Sequence, residues 1–141
     1  MAPGQPNKRI VQIWGNNPEL YFKAARDVAE MGFAGIDINL GCPERGIVAR
    51  GCCAGLIGNN DIVAEILAAV RAGAPNSPLS VKTRLGIREM VTDEWATFLL
   101  GQNLGALTIA GRTARDMSND TAHCAEIATV VQVRNERAPD T

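Results

Sequence analysis

One histidine, His123, stands in the whole chain. A Cys–His nucleophilic pair needs an imidazole within reach of its thiol, and none is spaced near Cys42, so hydrolysis of that type is disfavoured. His123 itself reads as a polar residue at a helix start. There is no P-loop, no Gly-x-Gly-x-x-Gly after a strand and no His-Glu-x-x-His, which disfavours a simple dinucleotide fold and zinc-peptidase chemistry. No apolar run approaches the roughly 18 residues of a membrane span. The opening residues, Met1 to Arg9, lack the apolar segment of a secretory signal. The four cysteines are Cys42, Cys52, Cys53 and Cys124. An adjacent pair does not suit a disulfide framework, and the spacing matches no structural zinc site. Reduced thiols in a cytoplasmic setting, with no metal, are the expectation. The formal net charge of -1 argues against a general nucleic-acid coat. It leaves room for a local basic path, because steering depends on where charges lie.

What is present is a repeat. After a polar leader over residues 1–9, Ile10 to Gly15 is a short aliphatic strand. Asn17 caps a helix that has Pro18 at its first position. Tyr21, Ala24, Ala25, Val28 and Met31 give it an apolar stripe, and Gly32 stops it. Ile36–Leu40 is the second strand. A connection from Gly41 to Gly58, without clear secondary structure, has the length of a functional loop. Asn59 or Asn60 caps the next helix, whose buried side is Ile62, Val63, Ile66, Leu67 and Val70. Pro78 to Gly86 reads as a third strand. Thr92 caps a helix running to about Asn103, with Trp95, Phe98 and Leu99 inward. Ala106–Ile109 is a fourth strand, and Gly111-Arg112-Thr113 is its exit. A polar turn at 118–121 precedes a last helix marked by Ile127, Val130, Val131 and Arg134, ending near Ala138-Pro139.

The order is therefore βαβαβαβα, and parallel strands need such crossovers. An open doubly wound sheet and part of a (β/α)8 barrel both fit. A whole barrel takes roughly 250 residues, so the expectation is a partial TIM barrel of about four central βα units over residues 10–141. The pattern ends after a helix, where another strand is expected, and this reads as a fragment or truncated product. Four strands leave two sheet edges able to self-associate.

In such folds chemistry gathers at the C-terminal ends of the strands. Those ends present Gln12, then Asn39 and Cys42, then Lys82 and Arg84, then Gly111, Arg112 and Thr113. The Gln12 carboxamide can both donate and accept toward a heterocycle edge, or simply finish a strand. Lys82 and Arg84 alternate onto one face, where two cations call for an anionic partner unless the edge is solvated. Cys42, fixed between Gly41 and Pro43, is either a poised acid, a nucleophile or a small buried residue. Cys52 and Cys53 read as small loop residues. Arg45 and Arg50 flank the corner and suit phosphate contacts or plain solvent exposure.

Four segments in this order carry a resemblance. They are Val11 to Glu19, Gly32 to Pro43 with its Asn39-Leu40-Gly41-Cys42-Pro43 corner, Ser80 to Gly86, and Leu107 to Thr113. Together they resemble the tRNA-dihydrouridine synthase family across about residues 10–141. The resemblance implies a flavin-binding TIM barrel followed by a helical RNA-binding domain, reducing uridine in tRNA to 5,6-dihydrouridine. NADPH, or NADH, reduces bound FMN; hydride goes to uracil C6, and a cysteine protonates C5. Cys42 falls on that acid, Asn39 on a substrate-pocket asparagine, Gln12 and Lys82 on flavin-ring contacts, and Arg84 on a residue lining the flavin and uridine pocket. Gly111 and Arg112 lie on the cofactor side, and Arg45 and Arg50 on the RNA side. The chain departs from the pattern at Ala110, where the family usually has histidine, at Cys52 and Cys53, where it has glycine and alanine, and at Cys124, where tryptophan is expected. Against that pattern, the first two and last two barrel strands and the helical domain are expected to be missing from this chain. A noncatalytic truncated remnant or self-associating interaction protein, and another flavin- or phosphate-binding barrel enzyme acting on a small molecule, remain as alternatives.

Overall fold

The structure is a computed structural model and describes residues 9–141. The expected leader over 1–9 lies, apart from Arg9, outside the described residues. Four strands, β1 (Ile10–Ile13), β2 (Gly35–Leu40), β3 (Leu79–Arg84) and β4 (Ala106–Ala110), form one sheet in sequence order. Every neighbouring pair is parallel. The order never reverses, as it does at the switch point of a doubly wound sheet. This is the arrangement of successive units in a (β/α)8 barrel. The helices are α1 (Pro18–Glu30), α2 (Arg45–Ala49), α3 (Asn60–Gly73), α4 (Thr92–Leu100) and α5 (Cys124–Arg137), with a 3-10 turn at Cys53–Leu56.

Strand alternation divides the sheet into two unlike faces. The register aligns Val11 with Ile36 and Leu79, Ile13 with Ile38, Val81 and Leu107, and Leu40 with Thr83 and Ile109. This apolar face packs on Val63, Ile66, Leu67 and Val70 of α3, on Tyr21, Ala25 and Val28 of α1, and on Trp95 and Leu99 of α4. Full burial of each such aliphatic side chain contributes roughly 1.5–3 kcal/mol. Thr83, the one hydroxyl in that layer, is matched: Trp95 Nε1 donates to its Oγ1 at 3.0 Å, and its Oγ1 donates to the Leu40 carbonyl at 3.2 Å. A second cluster joins Ala96 and Leu100 of α4 to Val130 and Val133 of α5.

Local signals explain most of the boundaries. Asn17 Oδ1 accepts from the Glu19 and Leu20 amides at 2.9 and 3.3 Å, with Pro18 following at the first helical position. Gly32, at φ +70°, ends α1. Several expectations need correction. The Gly41–Gly58 connection is not irregular: Glu44 caps α2, its carboxylate accepting from the Gly46 and Ile47 amides at 3.0 and 2.8 Å. Glutamate is an unusual cap, so residue type alone does not announce this helix. Thr92 is the first residue of α4 and makes no cap; its Oγ1 is buried without a partner among the described residues. That helix ends at Leu100, with Gly101 as its cap, and Asn103 at φ +52° lies outside helical geometry. Met31 and Val131 are exposed, and Phe98 is half-buried, stacked on Trp95 at 5.5 Å.

The contact between α1 and α3 is close enough to require glycine. A Cβ on Gly73 would lie 2.4 Å from the Phe22 carbonyl oxygen and 3.2 Å from the Arg26 amide nitrogen. Glycine-to-alanine changes inside helices usually stabilise by about 0.5–1 kcal/mol. Here backbone blocks the methyl, and Gly73→Ala is expected to destabilise by about 1–3 kcal/mol, read as a lower urea midpoint. An unchanged or raised midpoint would contradict this packing.

Candidate functional site

The second face of the sheet is polar and open. Its side chains come from the alternate positions: Gln12, Asp37 and Ser80 in one row, Asn39, Lys82 and Thr108 in the next. A continuous hydrogen-bond chain crosses them. Ser80 Oγ donates to Asp37 Oδ1 at 2.6 Å, Gln12 Nε2 donates to Asp37 Oδ2 at 2.6 Å, and Asn39 Nδ2 donates to Gln12 Oε1 at 3.0 Å. Asn39 Oδ1 then accepts the Gly41 and Cys42 amides at 2.9 and 3.0 Å. An asparagine side chain bonding backbone two and three residues on is a local turn device. It sets the direction in which the chain leaves β2 at Cys42. Asp37 was not singled out from sequence. The available signal was a lone carboxylate inside an Ile-Asp-Ile strand, where a buried or half-buried acid needs partners.

Cys42 is half-buried at this rim, and its carbonyl accepts the Ala54 amide at 3.3 Å, so the 3-10 turn backs the corner. Cys52 and Cys53 lie behind it in the core. Burial, followed by the neighbouring thiols of Cys42 and Cys52, pushes the Cys53 thiol up to about 11. Burial likewise pushes the Tyr21 phenol up, with Cys53 and Cys52 adding to it; its hydroxyl reaches the Gly15 carbonyl at 3.5 Å. Cys53 is thus held as a neutral packing group, while Cys42 alone of the three reaches the open rim. Cys124 is exposed at the start of α5.

Arg84 corrects the expectation that two cations on β3 call for an anion. It is buried, its Nε donating to the Gly41 carbonyl at 2.7 Å and its Nη1 to the Thr113 and Met117 carbonyls at 3.2 and 2.9 Å. Carbonyl oxygens take the place of the anion. Burial, then the like charge of Arg112, holds its pKa below the ordinary arginine value. Only Nη2 is left without a described hydrogen bond, so Arg84 first of all bolts the Cys42 corner to the exit of β4. Lys82 behaves differently. It is exposed and makes no hydrogen bond or ion pair among the described residues.

The remaining candidates divide. Gly111 is covered: a Cβ there would lie 2.8 Å from Ile127 Cδ1, and its carbonyl accepts the His123 amide at 2.7 Å. Arg112 Nε donates to the Asp120 carbonyl at 2.6 Å, which leaves its two terminal nitrogens. Arg45 is exposed at the start of α2 and lines a cleft of about 580 Å³ beside Pro43. Arg50 is not in that cleft; its Nε turns back to the Gly46 carbonyl at 3.1 Å, and its own carbonyl accepts from Asn16 Nδ2 at 2.8 Å. Sequence reasoning also missed Asp116. Its carboxylate accepts the Thr113 amide at 2.8 Å, and Thr113 Oγ1 accepts the Asp116 amide at 3.3 Å. These bonds, with His123 3.7 Å away, keep the Asp116 carboxyl below the usual range.

The dihydrouridine synthase family model matches residues 1–136. Among curated relatives, the chain is 41% identical over 133 residues to "Probable tRNA-dihydrouridine synthase 2" of Bacillus subtilis (strain 168), which covers 94% of this chain and 40% of the relative. It is 41% identical over 135 residues to "Probable tRNA-dihydrouridine synthase" of Staphylococcus aureus (strain Mu50), with the same shares. The chain spans about 40% of the length of the relatives it matches.

Two outcomes follow from this site. Arg84→Met leaves buried carbonyls unmatched and is expected to lower stability by at least about 2 kcal/mol, with faster hydrogen exchange at 112–118; Lys82→Met is expected to change neither. Equal losses in the two variants would contradict the bolt. The Glu44 and Asp116 carboxyls are both held low, chiefly by the amides they accept. Their stabilisation is present above the unfolded carboxylate values of about 4 and is lost as pH falls through the lowered ones. Hydrogen exchange at the Gly46 and Thr113 amides should therefore accelerate only below about pH 4, beyond the intrinsic trend.

Proposed function

The chain belongs to the dihydrouridine synthase family, and from that premise we propose that residues 10–141 form the uridine-facing, FMN-binding part of a tRNA-dihydrouridine synthase acting in the cytoplasm. The observation that carries this reading is the Cys42 corner. Asn39 fixes two consecutive amides there, Arg84 bonds the Gly41 carbonyl beside it, and one partly open thiol results.

The residues of the open face fit a flavin ring. Lys82 offers a cation with no partner among the described residues, and Gln12 keeps one amide hydrogen beyond its bond to Asp37. These two would hold the isoalloxazine, and the terminal nitrogens of Arg112 would lie toward the rest of the cofactor. Gly111 is the weaker assignment because Ile127 and His123 already cover it. Ala110, opposite Arg84 in the sheet, supplies no donor where the family usually has histidine. Bound here and reduced by NADPH or NADH, FMN would supply the hydride for uracil C6.

The protein's own part is the proton. The Cys42 S–H bond breaks as a C–H bond forms at uracil C5, leaving a thiolate that solvent reprotonates. Arg84 bonds the Gly41 carbonyl, so a fixed cation is held one residue from that thiolate. Asn39 acts by positioning the thiol, since its Oδ1 is fully engaged by backbone. The tRNA would be held by basic side chains around the rim, Arg45 among them, with Arg50 set back just past the end of α2. A second reading, self-association, has its own support: among the described residues β1 and β4 each pair on one side only, and Ile10, Trp14 and Leu20 are exposed beside β1.

Cys42→Ala tests the main reading. With FMN and NADPH present, the variant is expected to reduce flavin as the parent does, while dihydrouridine formation in unmodified tRNA falls by about 100-fold or more. Equal product from both proteins would refute the assignment of the acid. Turnover of a small flavin-enzyme substrate with tRNA left unreacted would favour the small-molecule alternative.

A further inference from the structure

We propose that Asp37 is a positioning residue for the Cys42 acid, acting through Gln12 and Asn39 with no ligand contact of its own. The assignment rests on the reading just given for Cys42 and adds a residue which that reading does not use. Strand alternation puts Asp37 on the same face as Asn39, one row farther from the strand ends and level with Gln12 and Ser80. Both of its oxygens are engaged, Oδ1 by Ser80 Oγ and Oδ2 by Gln12 Nε2, each at 2.6 Å. It takes part in no ion pair among the described residues. A half-buried carboxylate met only by neutral donors carries a desolvation cost that a neutral side chain avoids. Its return is a firm grip, because a hydrogen bond to an ionised group is roughly twice as strong as a neutral one.

The direction of the relay is fixed from both ends. A carboxylate only accepts, and a backbone amide only donates. Asp37 therefore faces the Gln12 amide nitrogen, which leaves Gln12 Oε1 to accept Asn39 Nδ2 at 3.0 Å. From the other end, the Gly41 and Cys42 amides face Asn39 Oδ1 at 2.9 and 3.0 Å, which turns Asn39 Nδ2 toward Gln12. The two ends demand the same orientation of both carboxamides. A flip of either one brings donor against donor or acceptor against acceptor.

Asp37 matters most for the weakest member of the relay. Gln12 is an exposed side chain on β1, and holding a glutamine in one rotamer costs conformational entropy. Its bond to Asp37 offsets that cost and keeps Oε1 where Asn39 needs it. Asn39 in turn holds the two amides through which the chain leaves β2, the second of them belonging to Cys42 itself. Without the carboxylate the relay has no fixed end on the β1 side, and the corner that aims the thiol loosens. Proton transfer depends on that aim, since the thiol must lie within hydrogen-bond reach of the carbon it protonates.

The test reads the full chain without cofactor first, by hydrogen exchange and by peptide-resolved alkylation of Cys42 with iodoacetamide. In D37L the Gly41 and Cys42 amides are expected to exchange about tenfold faster, with faster alkylation of Cys42. The Gly46 amide, held by Glu44, is expected to exchange as in the parent. D37N keeps an acceptor oxygen for Gln12 while its amide group donates to Ser80 Oγ, and is expected to restore parent values. Q12L is expected to match D37L, and D37L/Q12L to be no worse than either, because both substitutions cut one link. Should D37L fail to fold, D37S, too short to reach Gln12, is read in the same way. With FMN, NADPH and unmodified tRNA added, dihydrouridine formation is expected to fall by about tenfold in D37L and to recover in D37N. Parent-like exchange at Gly41 and Cys42 in D37L would overturn the proposal, as would effects of D37L and Q12L that multiply in the double variant. A D37N chain as impaired as D37L would give Asp37 a role through its charge alone and overturn it too. If Cys42→Ala still makes dihydrouridine while D37L loosens the two amides, the acid assignment fails and the positioning of the corner stands.

Discussion

The guanidinium of Arg84 sits among carbonyl oxygens of Gly41, Thr113 and Met117, and much of the rim depends on it. Two connections far apart in sequence meet at that one side chain. A buried charge is tolerable only when its donors are satisfied. Here backbone oxygens take the hydrogens of Nε and Nη1, each also losing its own need for water. The same bonds fix where Cys42 leaves β2 and where the β4 exit loop runs, and those two features bound the cleft beside Pro43.

A second constraint is the asymmetry of the sheet. One face is aliphatic and closed by α1, α3 and α4; the other holds the linked side chains of Gln12, Asp37, Asn39 and Ser80. Because the polar groups match each other, the open face is stable without an apolar cover. The linkage also transmits geometry. Asp37 orients Gln12, Gln12 orients Asn39, and Asn39 sets the amides at Gly41 and Cys42. Lys82 stands in the same field without a partner among the described residues, a position of little use for stability.

Much of this was legible in the residue order. The strand–helix alternation, the Asn17-Pro18 helix start and the aliphatic stripe of α3 all follow from local rules and agree with the structure. The polar groups at the strand ends also gather on one side, as parallel register requires. What stayed hidden depends on unusual partners. Glu44 as a cap, Thr92 failing as one, and Asp116 bracing Thr113 come from loop geometry that residue type alone does not encode. Arg45 and Arg50 looked equivalent by spacing. The five-residue helix α2 separates them, leaving one in the cleft and turning the other back on its own backbone.

The amino-acid sequence by itself determined the βα repeat, the parallel sheet and the corner on which Cys42 is displayed. Those rest on periodicity, capping residues and the short-range stiffness of Gly-Cys-Pro, all of them near-neighbour effects. Only the tertiary structure decided what each polar side chain does. Lys82 and Arg84 are two residues apart and alike in charge, yet one is exposed at the surface and the other is a buried clamp. The difference arises because Gly41, Thr113 and Met117, distant in sequence, bring their carbonyls to Arg84. A cation's role is set by the oxygens that surround it, and that surrounding exists only once the chain has folded.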